Sequence, residues 1–280
     1  MDNKRINTKI KMKILKLDEI FRKKGKIIIG MVHLKPLPGS PLWEGDLEKV
    51  IELAIRDARA LQDGGVDGII VENFWDRPYR PRVTEPETIV AFTVVAKEVM
   101  KNVSIPVGLN VLRNSAVEAA AIAYVLGAKY IRVNAYVEPI VSDSGIIQPA
   151  APELLRYMKK LDMELGILVD IFVKHATSMR RESIDELVLD AFDRGLASAV
   201  IITGRKTGMP PAMEDLRSAY ELGAGPILIG SGLNVKNIEL LGYADGAIVG
   251  TYFKENGKID QPVDRERVRA LIKRIREAYG

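Results

Sequence analysis

From Lys26 to the C-terminus, short apolar runs rich in β-branched residues alternate with longer runs whose apolar residues recur at helical spacing. That alternation restricts the fold more than any other feature, because strands separated by helices pair in parallel through crossovers. Strands are expected at Ile27–His33, Gly68–Asn73, Pro106–Val111, Lys129–Asn134, Leu165–Val173, Ala199–Thr203, Pro226–Gly230 and Gly246–Gly250. A doubly wound open sheet would place its glycine-rich phosphate turn after the first strand. Here the first turn reads Met31-Val32-His33-Leu34-Lys35-Pro36-Leu37-Pro38-Gly39, without G-x-G-x-x-G, and the glycine-ended strands come last. The expected fold is therefore α/β, a single (β/α)8 TIM barrel over residues 26–280. Residues 1–25 are expected to form a basic extension and a short barrel-floor helix. A chain of 280 residues fits one such barrel, which takes about 250.

The intervening runs carry helix signals. Leu47, Val50, Ile51, Ala54, Ile55, Ala58 and Leu61 form one apolar stripe. Thr84 with Glu87, Ser115 with Glu118 and Ser183 with Glu186 have capping-box spacing, while Pro86, Pro152 and Pro211 suit first helical turns. Gly64, Gly127, Gly195 and Gly223 fall where helices should stop.

Two glycine-ended strands come last. Pro226-Ile227-Leu228-Ile229-Gly230-Ser231-Gly232-Leu233-Asn234 reads as a buried strand whose end lets a ligand approach the backbone, with Asn234 placed to cap a following helix. Asp245 to Thr251 repeats the plan. Such strand ends gather free backbone N–H groups and suit a phosphate, as in barrels of the ribulose-phosphate-binding type. The expected phosphate-binding residues are Gly204, Gly230, Ser231, Gly232, Gly250 and Thr251.

Polar residues at the C-terminal ends of barrel strands line the cavity open to solvent. His33, Glu72, Asp170 and Lys174 are the catalytic candidates; Asn73, Asn110, Arg132, Asn134, His175 and Thr203 are the substrate-binding candidates. Arg132 with Asn134, and Asp170 with Lys174, have the same strand parity and so share a face. Arg132 and Asp170 also read as a buried ion pair, and Lys174 as an anion ligand, a base or a Schiff-base lysine. With two histidines and no H-x-H or H-E-x-x-H spacing, no metal site is expected, an oxygen-ligated Mg2+ at Glu72 and Asp170 being the alternative.

Composition removes several function classes. The absence of cysteine excludes disulfides, thiolate chemistry and cysteine-ligated metals, and fits a cytoplasmic protein. The net charge of +4 is concentrated in Lys4, Arg5, Lys9, Lys11, Lys13 and Lys16. This reads as a solvated arm, with no nucleic-acid partner expected. No apolar run approaches the ~18 residues of a bilayer span, so no membrane insertion is expected. Phe74–Thr84 and Ala135–Ala151 are longer connections than a barrel needs, and read as lids or substrate loops, or as contacts of a homo-oligomer.

The first turn, Met31-Val32-His33-Leu34-Lys35-Pro36-Leu37-Pro38-Gly39-Ser40-Pro41, resembles that of the BtpA family. The resemblance continues through Val71-Glu72-Asn73-Phe74, Gly108 to Asn114, Ile131-Arg132-Val133-Asn134, Asp143-Ser144-Gly145, Val173-Lys174-His175 and Gly230-Ser231-Gly232. It covers the chain from about Lys24 onward. It departs after Gln148, where Pro149 stands in place of the family's usual glycine. The resemblance implies a barrel enzyme, in a family named for a photosystem I biogenesis protein, without specifying a reaction. The expected function is acid–base chemistry on a small phosphorylated metabolite, a sugar phosphate or a nucleotide-related phosphate. No cofactor is expected. The alternatives are an FMN-binding barrel and a non-catalytic assembly factor.

Overall fold

The computed structural model describes residues 12–172, 175–180, 183–204 and 208–280. Eight parallel strands run in chain order: β1 (Ile27–His33), β2 (Gly68–Glu72), β3 (Val107–Asn110), β4 (Tyr130–Val133), β5 (Glu164–Ile171), β6 (Ala199–Ile202), β7 (Ile227–Ile229) and β8 (Gly246–Val249). Each pairs with the next and β8 pairs with β1, so the barrel closes and leaves no free edge among them. The crossover helices are α1 (Leu47–Gly64), α2 (Pro86–Asn102), α3 (Ala116–Leu126), α4 (Ala151–Lys160), α5 (Ile184–Asp193) and α6 (Met213–Glu221), with α7 (Arg265–Tyr279) last.

Alternate strand residues divide between two cores, as the two-residue period demands. Ile28, Val32, Ile69, Val71, Val169 and Val200 face outward onto the helices. Ile27, Ile29, Met31, Ile70, Leu168, Ile201, Leu228 and Ile248 fill the barrel with Tyr130. The Tyr130 ring spans the interior, its hydroxyl donating to the Ile69 carbonyl at 2.7 Å. Gly68, Gly108 and Gly166 make room for it: a Cβ at Gly108 would stand 2.2 Å from the ring. Below it, the floor helix Leu17–Phe21 inserts Leu17, Ile20 and Phe21. Ahead of that helix, Lys13–Ile14 adds a short parallel pairing to the start of β5.

Local expectations fare unevenly. Ser183 and Glu186 form the capping box of α5. At α3, the Ser115 hydroxyl instead accepts from Val83 N–H, while Glu118 pairs with Arg82. At α2 the N-cap is Glu85, not Thr84. No α-helix follows β7; a turn leads to a 3-10 segment at Ile238–Tyr243. Asn234 shapes that turn, its Oδ1 accepting from Lys236 N–H at 2.9 Å and its N–H donating to Asn237 Oδ1 at 2.7 Å.

The connection from Ala135 to Ala151 is a hairpin, Ile140–Ser142 with Gly145–Ile147. Ala176–Ser178, in the connection after β5, adds a third antiparallel strand to it. Among the described residues no helix is long and apolar enough to cross a membrane.

Candidate active site

Interior parity carries one polar residue of each of the first five strands to the upper end of the barrel: His33, Glu72, Asn110, Arg132 and Asp170. His33, Glu72 and Asn110 occupy matched register positions on β1, β2 and β3. Their side chains meet accordingly. Asn110 Nδ2 donates to Glu72 Oε2 at 2.6 Å, and the other oxygen of Glu72 lies 3.8 Å from His33 Nε2. The His33 ring is buried, stacked at 4.5 Å on Phe74. Its Cε1 lies 3.1 Å from where a Cβ on Gly250 would stand, so the imidazole touches the loop after β8.

On β4 and β5, Arg132 Nε and Nη2 each donate to Asp170 at 2.8 Å, and Asn134 Nδ2 donates to Asp170 at 2.9 Å. Burial works against the charge of Arg132, yet Asp170 beside it holds the guanidinium above its ordinary value. Both Asp170 oxygens are engaged, so this carboxylate anchors Arg132, the ion-pair reading of the two.

A cavity of about 220 Å3 opens above these residues. Met31, His33, Glu72, Phe74 and Arg132 line one side; Gly230–Asn234, Val249–Tyr252, Gly208, Gly257 and Arg267 line the other. Gly230 N–H stays in the strand ladder, bonded to Ile202 O at 2.8 Å. By contrast, among the described residues no hydrogen bond occupies the backbone N–H of Ser231, Gly232, Leu233, Gly250, Thr251 or Tyr252. Ser231 and Leu233 are buried, where backbone donors are rarely left so, and the other four residues are half-buried. The amides of Ser231–Leu233 and Gly250 belong to loops and those of Thr251 and Tyr252 to a short 3-10 segment, Thr251–Phe253; no α-helix begins at either strand end.

The remaining expected residues lie elsewhere. Asn73 is buried between loops, its Oδ1 accepting from Leu112 N–H at 2.7 Å and its Nδ2 donating to Asp76 at 3.0 Å. It faces a second cavity, of about 310 Å3, which Ser40, Asp76, Tyr79 and Arg80 also line. Burial pushes the Asp76 carboxyl up to about 6, against the hydrogen bonds it accepts from Leu37 N–H and Asn73. Thr203 reaches the Phe172 carbonyl at 3.4 Å, and Gly204 packs under Met209 and Pro210. His175 is exposed with φ 59°, and Lys174 lies outside the described residues. Among the described residues no group of three or more carboxylate or histidine side chains is disposed to hold a metal ion.

Arg267 and Tyr252 line the cavity and were not expected from the sequence. The signal available was faint: a cation in the first turn of α7, where helices favour acids.

The sequence signature of the BtpA family matches residues 24–277. The chain belongs to the BtpA family. It is 47% identical over 256 residues to an uncharacterised protein of Pyrococcus furiosus, covering 91% of this chain and 97% of that one. It is 44% identical over 252 residues to the photosystem I biogenesis protein BtpA of Synechocystis, covering 89% and 88% respectively. Among solved structures it is similar to N-(5'-phosphoribosyl)anthranilate isomerase from Pyrococcus furiosus, with a TM-score of 0.56 at 16% identity, covering 90% of this chain and 99% of that one. At that identity the likeness concerns the barrel fold.

Proposed function

We propose that this BtpA-family chain is an enzyme acting on a small phosphorylated metabolite, with His33 moving a proton beside the bound phosphate. One observation carries the reading. The unbonded amides of two adjacent strand ends, the buried Arg132 and the His33–Glu72 pair all border one cavity. In it, the amides of Ser231–Leu233 and Gly250–Tyr252 hold the phosphate oxygens. The N–H groups of Arg132 not committed to Asp170 stabilise charge developing on the reacting oxygen. His33 is the acid–base group, because its ring touches the Gly250 loop and so reaches the atoms next to the phosphate. Glu72, held by Asn110, orients the imidazole and stabilises its protonated form. Proton transfer in isomerisation, aldol-type cleavage or glycosyl-bond chemistry uses these same parts.

The isomerase neighbour is named for a phosphoribosyl compound, which supports this substrate class by analogy of fold.

The test is a turnover screen over sugar phosphates and nucleotide-related phosphates, paired with calorimetric titration of inorganic phosphate. His33→Asn and Glu72→Gln are expected to lower turnover by about a hundredfold to ten-thousandfold while phosphate still binds. Turnover indifferent to both substitutions removes the pair from the mechanism. Protein that binds no phosphate removes the anchor.

A further inference from the structure

We propose that Arg267 is the charge partner of the anion in this cavity and makes the site selective for a dianionic phosphate monoester, an inference that rests on the phosphate reading above. Among the described residues two guanidinium groups line the cavity, and their circumstances differ. The charge of Arg132 is matched by the bidentate pair with Asp170. Arg267 has no carboxylate within ion-pair distance among the described residues, yet it is not a loose surface side chain. Its Nε donates to the Tyr252 carbonyl at 2.7 Å, and its guanidinium lies 4.6 Å from the centre of the Tyr252 ring. Gly257 lies close on another side: a Cβ there would stand 3.5 Å from Nη2. The head group is therefore held at the cavity wall by the same residue whose backbone N–H is one of the unbonded amides.

Its place in the helix sharpens the point. Asp264 caps α7 by accepting from Glu266 N–H and Arg267 N–H, so Arg267 sits in the first turn. The positive end of the helix backbone disfavours a cation there. An arginine held at such a position, with no carboxylate partner among the described residues, is stabilised when an anion occupies the cavity it lines. Because Asp170 already matches Arg132, Arg267 is the cation left among the described residues to meet the ligand's charge, and together with the unbonded amides of Ser231–Leu233 and Gly250–Tyr252 it presents more donors than two oxygens accept, which calls for a group with three terminal oxygens. A terminal phosphate monoester fits that requirement. A diester or a lone carboxylate, with two unsubstituted oxygens, leaves donors unmatched.

The experiment is calorimetric titration of the full-length protein at pH 8 with inorganic phosphate, methyl phosphate and dimethyl phosphate. It compares wild type with Arg267→Gln, which can still donate to the Tyr252 carbonyl, and Arg267→Lys, which keeps the charge. Circular dichroism verifies that both variants fold. Wild type is expected to bind methyl phosphate at least about tenfold more tightly than dimethyl phosphate. Arg267→Gln is expected to lose about tenfold or more in phosphate affinity together with that preference, and Arg267→Lys to keep most of both. Equal phosphate binding by wild type and Arg267→Gln overturns the role of Arg267 and leaves the phosphate site standing. Arg267→Lys as weak as Arg267→Gln shows that shape rather than charge is at work and overturns it too. Wild type that binds no phosphate overturns this inference together with the reading on which it rests.

Discussion

Gly232 shows how one residue type satisfies two demands that look alike in a sequence. Its φ of 78° lies in the left-handed region, and an added Cβ would stand 2.1 Å from Pro210 N and 2.4 Å from the Met209 carbonyl carbon. The close approach that requires glycine here is made by the loop after β6, whose Met209 carbonyl also accepts from the Ser231 hydroxyl at 2.8 Å. Gly232→Ala is therefore expected to destabilise the fold by at least about 2 kcal/mol in chemical denaturation, from a strained φ and a backbone clash. Gly242, whose Cβ position meets nothing within 4 Å, is the control: Gly242→Ala is expected to change stability by no more than about 0.5 kcal/mol. Equal effects at the two positions would mean that the loop after β6 yields freely.

At the scale of elements, the first helix and the last loop are joined inside the protein. Lys254, almost fully buried just beyond β8, places Nζ 2.6 Å from Asp57 Oδ2 on α1. The other Asp57 oxygen accepts from Val263 N–H at 3.2 Å, which directs the chain into α7. Asp57→Asn strands the buried charge of Lys254 and is expected to cost about 3–5 kcal/mol, whereas Lys254→Met leaves Asp57 paired with Arg56 at 3.0 Å and is expected to cost less. The double variant is expected to cost clearly less than their sum, as read by a double-mutant cycle in urea. Additive losses would show that the two side chains act separately. The helix ends teach a related lesson. Ser115 and Glu118 have the spacing of a capping box, yet Val83 N–H and Arg82 claim them, because the long β2 connection packs against the start of α3. Spacing specifies which groups are able to bond; neighbours distant in sequence decide which do.

At the scale of the whole molecule, stability should respond to acid through Asp76, which ties the β1 and β2 connections together. Burial raises its carboxyl from the ordinary 3.8 to about 6, so the folded chain holds this proton more tightly than the unfolded chain. The contribution is complete below about pH 4, is lost as the pH rises, and has levelled off above about pH 6. The shift corresponds to roughly 3 kcal/mol. Asp76→Asn removes the titration. Its unfolding free energy relative to wild type is expected to improve by about that amount between pH 4 and pH 7, whatever constant offset the lost acceptor adds. A pH-independent difference would place the titration elsewhere.

The sequence by itself determined the barrel and the set of side chains inside it. Strand and helix periods are local properties, and a two-residue period placed Arg132 with Asn134 on one strand face, while His33, Glu72, Asn110 and Asp170 were legible as strand-end residues together with Asn73, which the structure turns to another cavity. Packing between distant segments assigns each its contacts there. It matched Asp170 to Arg132, engaged Asn73 between loops, gave Gly232 a backbone neighbour, and brought Arg267 to the cavity from the last helix. These outcomes depend on which atoms meet across tens or hundreds of residues. Packing settles such contacts, and no local period records them.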